Sequence, residues 1–165
     1  MHSPFVCYPA MSTLKHPGST SAAASAVARA NRKVDSKPEA MIRSILHRQG
    51  IRFRKNYPIA LPGRRSVRPD IVFPKKKIAV FIDGCFWHRC PVHGTQPRSN
   101  PEYWDRKLQR NVERDVLDIH DLQRDGWTTL RIWEHVPPSD AAAQVMALLG
   151  DQTQHLFSNP SSRNP

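Results

Sequence analysis

The chain has 165 residues, with 25 Lys and Arg against 14 Asp and Glu, a formal charge of +11 and a pI near 10.2. That length builds one domain with a core and hardly two, and the excess of base points to a polyanion partner, most often nucleic acid. Three cysteines argue against a disulfide scaffold, no apolar run is long enough to span a bilayer, and the start MHSPFVCYPAMSTLKHPGS lacks the basic-then-apolar order of an export signal.

Residues 1–18 mix Pro, Ser and Gly without period and read as a disordered leader, in which Met11 is a second candidate start. The Ala-rich stretch 19–34 predicts a short helix with a basic end. Ser36 and Glu39 form a capping box around Pro38, and Met41, Ile42, Ile45 and Leu46 continue at helical spacing to Gly50. IRFRK at 51–55 reads as a strand and 57–69 as loop. Residues 70–73 and 78–82, apolar runs around the turn PKKK, read as a hairpin of central strands. From 101 to 125 Trp104, Leu108, Val112, Val116, Ile119 and Leu122 mark a long helix, stopped by Gly126. WTTLRIW at 127–133 is a further strand, 141–149 an amphipathic helix and 151–165 a disordered tail. This order predicts one α/β domain over 19–150 with a mixed sheet and its site where strand ends meet.

Asp70 opens one central strand and Asp83 closes the next, so neighbouring strands bring both carboxylates to one sheet edge. Oxygen ligands gathered there suit Mg²⁺, which can polarise a phosphodiester and activate a water. Either acid alone also suits a turn. Glu39 has its cap to explain it, and a first-turn acid near a sheet edge can reach a metal as well.

The stretch DGCFWHRCPVHG at 83–94 mixes metal-ligand chemistry with adjacent aromatics. Cys85, Cys90 and His93 have the spacing of most of a zinc site, and His135, after the late strand, is the candidate fourth ligand. The alternatives are two buried small apolar residues and an exposed loop histidine. His88 is a candidate general base, a further ligand or a surface histidine. Arg106, Lys107, Arg110 and Arg114 lie on the long helix and suit phosphate contacts or a solvated face.

The blocks KPE (37–39), RPDIVF (68–73), VFIDGCFWHRCPVHG (80–94), EYWDRKLQRNVERD (102–115) and GWTTLRIWEH (126–135) resemble the very short patch repair (Vsr) endonucleases over about residues 26–136. The resemblance implies a restriction-endonuclease-like three-layer sandwich with a structural zinc. It implies an enzyme that uses Mg²⁺ to nick double-stranded DNA 5′ of the thymine in a T:G mismatch left by deamination of 5-methylcytosine. It makes Asp70 the essential metal ligand, His88 the catalytic histidine and Glu39 the helix acid. It sets Cys85, Cys90, His93 and His135 at the zinc, and Phe86, Trp87 and Trp104 as aromatics that wedge into the base stack. Mismatch-repair proteins and a DNA polymerase are the partners such a reaction implies, with a monomeric enzyme in the bacterial cytoplasm at the nucleoid.

The chain departs from the family at two points. Asp83 stands where some members have histidine, which would give the metal a second carboxylate. The apolar residue that the family inserts from an N-terminal helix falls near Val27 or Ala28, a smaller wedge. A restriction-type endonuclease cutting unmismatched DNA and a zinc-stabilised DNA-binding module are the competing readings. The aromatic pair weighs against the first and the acids with His88 against the second.

Overall fold

A computed structural model describes residues 36–63 and 66–157. The readings of 1–18 and 19–34, the Val27 or Ala28 wedge and the last eight residues lie outside that range. Among the described residues three α-helices, α1 (Lys37–Arg48), α2 (Pro101–Arg124) and α3 (Pro138–Phe157), surround four strands: β1 (Arg54–Lys55), β2 (Ile71–Phe73), β3 (Ile78–Asp83) and β4 (Thr128–Trp133). No helix among the described residues is long and apolar enough to cross a membrane.

The sheet order is β1-β2-β3-β4. β1–β2 and β2–β3 are antiparallel, whereas β4 runs parallel to β3 from Ile78↔Thr128 to Asp83↔Trp133. A parallel pair needs a long crossover, and α2 supplies it. Side chains alternate across the strands. Ile71, Phe73, Ile78, Val80, Ile82 and Ile132 meet α1 and α3 on one face, while Val72 and Ala79 meet Leu122 of α2 and the loop residues Ile59, Leu61 and Val67 on the other. The architecture is α/β with a mixed sheet between helices, as the element order predicts.

Ser36 caps α1, its hydroxyl accepting the Glu39 N–H at 3.4 Å, while the Glu39 carboxylate turns to Arg43 at 3.3 Å. α2 ends where Gly126 takes φ +81°, and its N–H reaches Gln123 O at 3.0 Å.

Four expectations shift. The strand at 51–55 pairs only through Arg54 and Lys55, because Pro74 ends β2 and offers no N–H to extend the ladder. Ile51 and Phe53 still pack on the core. The stretch 57–69, expected as loop, contains an antiparallel bridge, Ile59↔Val67, that buries both residues. The inward stripe of α2 does not pass through Val116, which is 59% exposed. The last helix starts at Pro138, a residue preorganised for a first turn, and continues to Phe157, into the stretch expected to be tail.

Candidate active site and metal centre

One sheet edge collects the start of β2 and the ends of β3 and β4, a consequence of their directions. Asp70 immediately precedes β2 and spans to β3, its Oδ2 accepting the Ile82 N–H at 2.7 Å. Asp83 closes β3 and is 4% exposed. Glu39 approaches from the first turn of α1, buried and paired with the buried Arg43. Burial raises the Asp70 carboxyl, the Ile82 N–H opposes this, and the charges of Glu39 and Asp83 raise it again, to about 7. Carboxylate oxygens are the ligand type that a hard divalent cation takes, and such an ion would relieve the crowding of these acids.

β4 adds a cation. Arg131 Nε donates to Asp83 Oδ2, and its Nη2 donates to Asp115 Oδ2 at 3.1 Å. Asp115, on α2, shares that oxygen with His88 Nδ1 in a short hydrogen bond, and Arg114 Nη2 lies 3.5 Å from its other oxygen. His88 Nδ1 also lies 3.8 Å from Asp83 Oδ1. Burial raises the Asp115 carboxyl, but the hydrogen bond and charge of His88, with Arg131 and Arg114, outweigh it and hold it below the usual range. Burial works against the Arg131 guanidinium, yet Asp83 and Asp115 raise its pKa. The bond to Asp115 assigns the His88 proton to Nδ1 and leaves Nε2 as the nitrogen that can accept a proton.

Beyond Gly84 the chain folds back on itself. Cys90 N–H donates to Cys85 O at 2.9 Å and Gly94 N–H to Cys90 O at 2.7 Å. A side chain at Gly94 would put its Cβ 2.5 Å from that carbonyl oxygen, so the turn requires glycine. The donor atoms of Cys85, Cys90, His93 and His135 all lie within 4.8 Å of one another. His135 Nδ1 is 3.1 Å from Cys85 Sγ and 3.7 Å from Cys90 Sγ. A tetrahedral zinc with bonds of about 2.0–2.3 Å keeps its donors roughly 3.3–3.8 Å apart, so this set fits. Burial, then the neighbouring Cys90, pushes the Cys85 thiol up to about 11. The Glu134 carboxylate accepts the Cys85 N–H at 2.6 Å and ties the loop to the end of β4.

The loop carries its aromatics into a cluster. Phe86 lies 5.0 Å from Trp87 and 5.5 Å from Trp104 of α2, edge to face. All three are half-buried, so part of each ring faces solvent. Lys107 does not sit on an open helix face: its Nζ lies 5.3 Å over the Trp104 ring and 5.8 Å over Trp87, and donates to Tyr103 OH at 3.3 Å. Arg114 leans on Asp115, Arg106 is exposed and Arg110 half-buried. Asn111 Nδ2 donates to Trp87 O at 3.2 Å and fixes the aromatic loop to α2.

The structure therefore brings Glu39, Asp70, Asp83 and His88 to one edge and the four Cys and His donors beside them. Sequence reasoning missed Asp115, Arg131, Arg43 and Asn111. Arg131 did leave a signal, since a cation within the short apolar strand WTTLRIW needs a buried partner. So did Asn111 and Asp115, which follow Trp104 and Leu108 at steps of three and four.

Residues 19–93 match the family described as DNA mismatch endonuclease Vsr. The chain is 48% identical over 134 residues to the type II nicking enzyme V.NaeI of Lentzea aerocolonigenes, covering 81% of each chain. It is 41% identical over 103 residues to the type II nicking enzyme V.NmeAIP of Neisseria meningitidis, or 61% of this chain and 69% of that relative. It is 39% identical over 102 residues to the DNA mismatch endonuclease Vsr of Escherichia coli, or 61% of this chain and 62% of that relative. On these matches the chain belongs to the Vsr DNA mismatch endonuclease family and is a DNA-cleaving hydrolase.

Proposed function

We propose that this enzyme uses Mg²⁺ to nick double-stranded DNA 5′ of the thymine in a T:G mismatch, on a restriction-endonuclease-like scaffold stiffened by zinc. The observation that carries the reading is the arrangement around one loop: His88 bonded to Asp115 on one side, Phe86 and Trp87 against Trp104 on the other. Cleavage chemistry and a base-stack wedge are thereby built as one piece.

Asp70 and Asp83 would hold the Mg²⁺, with Glu39 as the third acid. The ion, when bound, supplies Lewis acidity at the phosphate and lowers the pKa of a water. The chain's own residues do the rest. His88 takes the proton of the attacking water at Nε2, and Asp115 fixes its tautomer and balances the imidazolium that forms. Arg131 holds Asp115 and Asp83 in one frame. Phe86, Trp87 and Trp104 enter the base stack, which costs least where pairing is already imperfect, so unstacking itself selects a mismatch. Lys107, held over those rings, meets the DNA with them; Arg106, Arg110 and Arg114 line the same helix and bind phosphates. Cys85, Cys90, His93 and His135 hold the zinc. The enzyme works in the cytoplasm, as a monomer at the nucleoid, and hands its nick to a DNA polymerase, with mismatch-repair proteins as further partners.

The test compares matched duplexes, one with a single T:G pair and one with C:G, with Mg²⁺ and with EDTA. A single nick beside the mismatched thymine, absent from both controls, is expected. Cleavage of both duplexes on both strands would replace this reading with the restriction-type one.

A further inference from the structure

Gly84 stands between Asp83, the last residue of β3, and Cys85, the first of the clustered Cys and His donors. Glu134 grips the chain on both sides of it. The Glu134 N–H donates to Asp83 O at 2.9 Å, which carries the β3–β4 ladder one bond past its last pair, Asp83↔Trp133. The Glu134 carboxylate then turns back, and its Oε1 accepts the Cys85 N–H at 2.6 Å. A carboxylate on a backbone N–H makes a charge-assisted bond, shorter and stronger than one between neutral groups. Glu134 is half-buried, so water competes for that bond only in part.

Two groups of the loop hang on the glycine held in this way. The His88 N–H donates to Gly84 O at 3.1 Å. Trp87 lies against the glycine itself: a side chain at Gly84 would put its Cβ 3.2 Å from Trp87 Cδ1 and 3.7 Å from Glu134 Oε2. The first distance is tighter than ordinary van der Waals contact, so the close approach of the ring uses the missing Cβ. Farther along, Asn111 holds Trp87 O and Asp115 holds the His88 ring, both from α2. α2 thus fixes the far side of the loop, and Glu134 fixes its root.

The geometry points to Glu134 as a positioning residue for cleavage: by holding the chain on either side of Gly84 it sets where His88 and Trp87 stand relative to Asp83. It acts through the backbone and not on the substrate. The Cys and His donors give the loop its shape, and Glu134 holds that shape at one angle above the carboxylates. Without it the loop can pivot at Gly84, a residue whose backbone is the least restrained. A displacement of about 1 Å in a catalytic group costs about 10²-fold in rate. The inference rests on the proposed reading in taking His88 as the base and Trp87 as part of the wedge.

The experiment compares Glu134→Gln, Glu134→Asp and Glu134→Ala with wild type in the full chain supplied with zinc. Gln keeps an oxygen acceptor at the same reach without the charge, Asp keeps the charge but falls one methylene short, and Ala has neither. Three quantities are measured: zinc content, single-turnover cleavage of a T:G duplex at saturating enzyme, and the fluorescence of a 2-aminopurine beside the mismatch without Mg²⁺, which reports unstacking. Every variant should keep stoichiometric zinc, since the four donors are untouched. Gln should cleave within about fivefold of wild type, while Asp and Ala should lose about tenfold to a hundredfold. Asp and Ala should also show a weaker 2-aminopurine signal, because wedge and base shift together. Should Ala fail to fold, Gln against Asp carries the same contrast. Gln as slow as Asp, a rate loss that follows loss of zinc, or an unchanged 2-aminopurine signal in Asp and Ala would overturn the assignment. A wild type that cuts T:G and C:G duplexes alike would instead sink the proposed function, and the rate effect of Glu134 would still be read on either duplex.

Discussion

Asp70→Asn should stabilise the protein in Mg²⁺-free buffer at neutral pH. In the fold the Asp70 carboxyl titrates at about 7 against 3.8 for an ordinary aspartate, burial being the largest cause and Glu39 and Asp83 adding to it. Each tenfold change in proton affinity is worth about 1.4 kcal/mol, so the ionised carboxylate costs up to about 4 kcal/mol of stability. Asn keeps the acceptor for the Ile82 N–H and has no charge to desolvate. Because Asp70 keeps some contact with solvent, a gain of about 2–4 kcal/mol is expected, or roughly 5–10 °C in Tm for a chain of this size. The sign follows from linkage. Below about pH 4 both states are protonated and the variants melt alike. As pH rises through 7 the folded wild type must give up a proton it holds more tightly than the unfolded chain does, and its stability falls relative to Asn. Mg²⁺ should raise the Tm of the wild type and leave the variant unmoved. Thermal melts from pH 4 to pH 8, with zinc retained, measure all of this. A variant no more stable than wild type at pH 7.5, or one equally favoured at pH 4, would refute the electrostatic account of Asp70.

Asp115→Asn should keep DNA binding and lower kcat by about 10²–10⁴, because His88 loses the group that fixes its tautomer; a loss below tenfold in single-turnover cleavage would remove Asp115 from the chemistry. His93→Ala should purify with much less than stoichiometric zinc and a lower Tm, and full zinc occupancy by elemental analysis would show the ligand set to be wrong. Phe86→Ala should reduce the preference for T:G over C:G duplex by about ten- to hundredfold, the worth of one stacked ring, and an unchanged cleavage ratio would leave the wedge without support.

Legibility in the sequence followed the range of the interactions. Local signals were plain: Ser36 and Glu39 start α1 and Gly126 stops α2, because caps and left-handed turns depend on a few consecutive residues. The meeting of Cys85, Cys90 and His93 with His135 was also readable, since a strand placed beside the hairpin carries its end to the loop. What failed was helical phase. A 24-residue helix drifts against a strict seven-residue pattern, and a stripe drawn through Val116 put Asp115 on the wrong side. Asp115 and Arg131 lie 16 residues apart and in different elements, so their pairing depends on a crossover that no local rule fixes. The same holds for Arg43, whose partner Glu39 already had a sufficient local explanation as a cap.

The charges at the sheet edge also rank the acids. Four carboxylates converge there, which ordinary burial would not tolerate. Glu39 is matched by Arg43, Asp83 by Arg131, and Asp115 by His88, Arg131 and Arg114. Asp70 accepts a backbone N–H, and no cation forms an ion pair with it among the described residues. Three of the acids are therefore held in ion pairs by neighbouring cations. Asp70 has its pKa raised to about 7 by burial, and on the proposed reading it is the carboxylate that a divalent cation would relieve. Asp83, with one oxygen on Arg131, has only the other to offer. On the proposed reading, the outer surface of a protein of net charge +11 would draw in the phosphodiester, while this edge would stay locally acidic enough to hold the cation that cleavage needs.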